Sequence, residues 1–130
     1  KRVLLVASMI LVCAGCGHVD GGGQPRSADF CSQAAAQSID PNRTFSLPGV
    51  YTSDQLHGAF LPSACPSTGL TWSIGEMSNE RRGALERFMG GIRGDRTGFV
   101  DFPIVLIGRV EPRGEFGGLN LVATDFAERD

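Results

Sequence analysis

Two histidines occur in this chain, His18 in a glycine-rich stretch and His57 in a region able to fold, with Asp54 three residues before His57. An imidazole beside a carboxylate is the nucleus of two chemistries, a general acid–base pair or half of a metal site. A zinc site needs three or four ligands, and only scattered carboxylates accompany this pair. Ser53, Ser63 and Ser67 are near enough in sequence to supply the nucleophile of a Ser-His-Asp arrangement. The chain carries no GxSxG, SxxK or HExxH motif, and serines around turns usually serve the turn itself. The residue types therefore favour binding over catalysis, with no catalytic residue, cofactor or metal ligand assigned. His57 reads first as a structural histidine bonded to backbone at a strand turn. A small hydrolase or metal-dependent enzyme centred on His57 is the rival reading.

The amino end points to a location. Lys1 and Arg2 precede an almost wholly apolar run from Val3 to Val12, and small residues, Ala14 and Gly15, lead to Cys16. A basic start, a short apolar core and a small-residue boundary describe a secretory signal, and the run is shorter than the roughly 20 residues that span a bilayer. The quartet Cys13-Ala14-Gly15-Cys16 resembles the bacterial lipobox, with Cys13 standing where Leu is usual. The resemblance implies that residues 1–15 are removed as a signal peptide and that Cys16 becomes the lipidated first residue. Two or more acyl chains, at about 0.8 kcal/mol per buried CH₂, anchor a protein stably. Gly17 after the cysteine, by analogy with sorting in Gram-negative envelopes, implies an outer-membrane protein facing the periplasm. Residues 16–28 read as the lipidated cysteine and a flexible tether, since glycine and small polar residues bury too little to offset their ordering entropy. His18 and Asp20 lie in that tether without fixed geometry for a metal.

Twelve basic and fourteen acidic residues give a net charge of −2, and the single Lys is Lys1. Loss of the signal makes the chain more acidic still, which excludes nucleic acid as a partner, because phosphate neutralisation needs a basic surface. With Cys13 removed and Cys16 lipidated, Cys31 and Cys65 remain in an oxidising compartment, where a disulfide is the expected state. They lack the close CxxC spacing of a metal or redox pair.

Residues 29–130 form one small domain. A short helix is expected in "DFCSQAAAQSI", with Asp29 as its cap and Phe30, Ala34 and Gln37 on one face. Strands are expected over 44–52, with a bulge or edge at Pro48-Gly49, and over 58–64, 69–74, 100–110 and 119–126. In the third, Leu70, Trp72 and Ile74 point inward. In the fourth, Val100, Phe102, Ile104, Leu106, Gly108 and Val110 share one face. Between the third and fourth strands "SNERRGALERFMGG" (78–91) reads as a helix capped by Ser78 or Asn79, with Leu85, Phe88, Met89 and Ile92 as its buried face and Gly90-Gly91 as its stop. The Arg-Gly-Asp triplet at 93–95 reads as a glycine-rich turn. The order β-β-β-α-β-β makes the fold class mainly β with one helix, a small OB-like five-stranded barrel, with a two-layer α+β sandwich as the alternative.

"HGAFLPSACP" (57–66), "GLTWSI", "IVLIGRV" and "GGLN" (117–120) together resemble a pattern of small uncharacterised bacterial OB-like proteins. The resemblance implies a single compact β domain and brings no activity with it. In OB-like barrels ligands meet the loops joining strands 1–2 and 4–5, which makes Asp54, Gln55, His57, Arg113 and Phe116 the candidate binding residues. The reading is a lipid-anchored, non-catalytic binding module of the cell envelope, with an envelope protein, a glycan or a small molecule as ligand. A structural accessory of outer-membrane assembly is a further alternative.

Overall fold

The computed structural model describes residues 27–129, so the expected signal peptide, Cys16 and almost all of the expected tether lie outside the described residues. Its elements are α1 (Ser27–Ala35), β1 (Phe45–Ser53), β2 (Gly58–Pro62), β3 (Leu70–Ile74), α2 (Asn79–Arg93), β4 (Val100–Pro112), a single 3₁₀ turn (Gly114–Phe116) and β5 (Leu119–Glu128). The fold is mainly β, with two helices among the described residues rather than the one that the expected fold class counted. One sheet runs in a closed ring, β1-β2-β3-β5-β4 and back to β1.

Strand β4 is the spine. It pairs antiparallel with β1 from Ser53↔Val100 to Phe45↔Gly108, and with β5 from Ile104↔Glu128 to Pro112↔Leu119. β3 lies parallel to β5, and the seam between β2 and β3 closes through a single pair, Phe60↔Leu70. The period-2 pattern of β4 holds throughout, with every second residue from Val100 to Val110 buried. The expected bulge at Pro48-Gly49 is absent; the register shift falls at Ile107/Gly108, against β5. Gly49 is explained by close approach, because a Cβ there would collide with the Leu61 carbonyl and the Phe60 ring. Gly108 answers the same demand: its Cβ would collide with the Val122 carbonyl. Pro48 lies just outside the β2 ladder, which starts at Gly49.

The register gives the ring two ends. At one end stand the starts of β1, β3 and β5 and the finish of β2 and β4, and α1 packs there, its Phe30 edge-on to Phe45 at 5.5 Å. Cys31 and Cys65 form a disulfide with Cα atoms 5.9 Å apart, tying α1 to the turn after β2. Asp29 is a first-turn residue of α1 rather than its cap, because the helix starts at Ser27, two residues inside the expected tether. There its carboxylate suits the positive helix end. Gln37, in the left-handed region (φ 54°), ends the helix with Gln37 N–H bonded to Ala34 O and Ser38 N–H to Gln33 O.

At the other end α2 crosses from the finish of β3 to the start of β4. Ser78 caps it, its hydroxyl accepting the Arg81 N–H. Arg81 fastens its first turns by donating to the Asp125 carboxylate (2.9 Å) and the Phe126 carbonyl (2.8 Å), with its guanidinium over the Phe126 ring at 4.5 Å. Phe88 meets the same ring at 6.1 Å. The helix does not stop at Gly90-Gly91 but runs on to Arg93, because Arg93 is itself anchored to the body of the domain.

Candidate functional site

The β1–β2 hairpin carries three of the expected binding residues and uses them on itself. Asp54 Oδ1 accepts the backbone N–H groups of Leu56 (2.9 Å) and His57 (2.6 Å), and its N–H donates to the His57 carbonyl at 3.0 Å. The His57 N–H is the main cause holding the Asp54 carboxyl below its ordinary value of 3.8, with desolvation opposing and the Leu56 N–H assisting. His57 Nδ1 lies 3.4 Å from Asp54 Oδ2, and the His57 side chain is 78% exposed. Gln55 adopts φ 80° at the tip, its N–H bonded to Ser53 Oγ. The arrangement is a self-satisfied turn.

The serines offer no nucleophile to this pair. Ser53 Oγ accepts from Gln55 and Ser63 Oγ from Arg129 Nη1 at 2.6 Å. Ser67 is exposed in the turn after β2. Among the described residues no group of three or more His, Cys, Asp or Glu side chains is placed to hold a metal.

Arg113 and Phe116 sit in the β4–β5 connection, where the Arg113 N–H bonds the Gly118 carbonyl. This connection follows Pro112, whereas the β1–β2 hairpin flanks Val100 at the opposite end of β4. The five candidates therefore fall into two groups, on connections at opposite ends of β4.

A further constellation stands at the α2 end, and it takes in Ser53 and the predicted Gln55 of the same hairpin. The inward rows of the strands emerge there into a cleft of about 420 Å³ between the ring and the helix. Its base is aromatic: Tyr51 stacks on Phe102 at 5.9 Å and meets Trp72 edge-on at 5.3 Å. Exposure rises along the inward row of β3, from Leu70 at 1% to Ile74 at 42%. The helix contributes Leu85, Glu86, Met89, Gly90 and Arg93, one face read at steps of three and four.

Two polar features mark this cleft. Trp72 Nε1 is a buried donor with no hydrogen-bond partner. Arg93 is 8% exposed, and its guanidinium lies 5.6 Å from the Phe102 ring centre. Its Nη2 donates to the Ser53 carbonyl (2.6 Å) and its Nη1 to those of Gly98 (3.0 Å) and Arg96 (3.4 Å). The Arg-Gly-Asp triplet is thus split by the fold: its arginine is buried in α2, while Gly94 ends the helix. Family models, curated proteins and solved structures yield no match to this chain.

Sequence reasoning reached Gln55 as a binding candidate, and it reached Trp72 and Ile74 as inward-facing and Leu85 and Met89 as a helix face but assigned those four to core. It missed Tyr51, Phe102 and Arg93 as a site. The available signal was Arg93 itself, a charge one position beyond Ile92 at the end of the apolar stripe.

Proposed function

We propose that this chain is a lipid-anchored binding module of the cell envelope, built as an OB-like barrel, and that its ligand site is the cleft at the α2 end. Support for the OB-like reading is the strand order β1-β2-β3-β5-β4, the parallel β3–β5 pair and the helix between β3 and β4. The observation that carries the binding reading is the cleft, whose aromatic base, mixed polar rim and volume fall in the range of ligand sites. An anchor at Cys16 feeds the domain through Ser27, whose hydroxyl bonds the Ser46 carbonyl near the start of β1. The cleft opens at the finish of β1, about 25–30 Å away for a nine-residue strand.

The hydrolase reading gains nothing from the hairpin, where Asp54 and His57 satisfy one another. The test is capture from intact envelopes with the wild-type chain, a Cys16→Ala form and a Gly90→Leu form. Gly90 borders the cleft and a Cβ there meets no atom within 4 Å, so the leucine fills the cleft without displacing the domain. Loss of partner with Gly90→Leu, and its redistribution to soluble fractions with Cys16→Ala, is the expected result. Unchanged capture by Gly90→Leu removes the cleft from the reading, and membrane retention of Cys16→Ala removes the anchor.

A further inference from the structure

Resting on the cleft as the ligand site, we propose that its ligand is a small organic acid, an apolar body ending in a carboxylate, with the carboxylate seated on Arg93. Among the polar side chains that line the cleft, Arg93 and Trp72 are donors only, Tyr51, Ser53 and Gln55 can donate or accept, and Glu86 accepts. Arg93 has five N–H groups, and three contacts engage two from Nη1 and one from Nη2. The Nε–H and one Nη2 hydrogen are left without an acceptor among the described residues. Nε and Nη2 form one edge of the guanidinium plane, the fork that matches the two oxygens of a carboxylate. Arg93 makes no ion pair among the described residues. Its charge is met by carbonyl dipoles, the negative end of α2 and the face of Phe102.

The rest of the cleft selects the body. Tyr51, Trp72, Ile74 and Met89 supply apolar walls. Glu86 lies on the same helix two turns before Arg93, about 10 Å away along the axis. The cleft is therefore polarised, and the acid enters with its carboxylate toward Arg93 and its body toward Glu86. An apolar amine is disfavoured at the Arg93 end, and a neutral alcohol forgoes the charged fork.

Trp72 is the only tryptophan of the chain, so its fluorescence reports occupancy directly. The experiment titrates the full chain, held in neutral lipid vesicles, with phenylbutyrate, phenylbutanol and phenylbutylamine, which share one body and differ in the terminal group. Phenylbutyrate is expected to give a saturable change at a concentration about tenfold below either analogue, the factor expected of a charged hydrogen-bonded pair. Arg93→Lys, which keeps the charge but not the fork, is expected to erase most of that preference. Glu86→Gln, an exposed change that leaves the fold intact, is expected to tighten phenylbutyrate about twofold by relieving rim repulsion. If Arg93→Lys fails to fold, the wild-type ranking and Glu86→Gln decide. Equal binding of acid and alcohol, or tighter binding of the amine, overturns the carboxylate assignment while leaving a binding cleft. Absence of any saturable response overturns the assignment as well, and the envelope capture then judges the cleft independently.

Discussion

The two ends of the ring are made from the same strands and behave differently. At the α1 end the inward residues Phe45, Leu47, Phe60, Leu70, Leu106 and Leu121 are 0–1% exposed, and Phe30 packs onto them beneath a disulfide. At the α2 end the same rows continue into Tyr51, Trp72 and Ile74, and a cleft opens over them. The roofs explain the contrast. α1 is short and presses one large ring into the ring of strands. α2 is fifteen residues long and fastened near both ends, by Arg81 to β5 and by Arg93 to the finish of β1, with glycines in its last turns. A helix held at its ends need not fill what lies beneath its middle. Inward direction is thus a property of the strand, whereas burial is a property of whatever is placed opposite.

The largest test of this contrast compares Phe45→Ala with Ile74→Ser. The first leaves a cavity in the close-packed end and is expected to cost about 3–5 kcal/mol. The second removes a half-solvated side chain and is expected to cost about 0.5 kcal/mol or less. Urea denaturation followed at both sites measures the difference, and similar costs would erase the distinction between the ends. Next in size is the staple. Cys31→Ser with Cys65→Ser opens a loop with a sequence separation of 34, for an expected loss of about 3–4 kcal/mol. The loss should match that produced by reductant on the wild-type chain, and Trp72 emission, at the far end, should hold its native value below the unfolding midpoint.

Gly90→Ala and Gly91→Ala sharpen the picture of the α2 end. Both glycines are helical, and added Cβ atoms meet nothing within 4 Å. Each substitution is expected to raise stability by about 0.5–1 kcal/mol, read as a higher melting temperature. A fall would show that the last turns of α2 pack more tightly than the cleft implies.

The smallest effect is on acid stability. Asp54 is held below its ordinary value mainly by the His57 N–H. Desolvation raises Asp125, but the Phe126 N–H and Arg81 outweigh it and leave it lowered too. A carboxyl whose folded pKa is depressed contributes stability above its unfolded pKa and loses it as pH falls through the folded value. Stability is expected to decline on acidification below about 3.8, the ordinary value for both groups. Asp54→Asn keeps the Oδ1 acceptor and should flatten that decline while preserving the hairpin. A pH titration of the unfolding midpoint for both forms checks it.

Much of the fold was legible along the chain because its cause is local. Alternation in "VDFPIVLIGRV" and "GLTWSI" announced which side chains turn inward, and Ser78 with the Leu85–Met89 spacing announced α2. The pairing of Cys31 with Cys65 followed from compartment and elimination, and the fold brings the two together. The site was less legible. Asp54 and His57 look like chemistry in a string of letters, and only the hairpin shows their hydrogen bonds directed to each other. Arg113 and Asp54 look like neighbours by fold analogy, and only the register places them at opposite ends of β4.

The chain by itself determined periodicity, the Ser78 cap and the oxidisable pair, since each arises from residues a few positions apart or from composition. Tertiary structure alone decided that Tyr51, Trp72, Phe102 and Arg93 meet around one space, because they come from four elements whose closest approach is set by ring closure and by how a helix is pinned across its end. The spacing of residues along one element carries no information about a void between two, and that void is where the binding chemistry of this protein is proposed to lie.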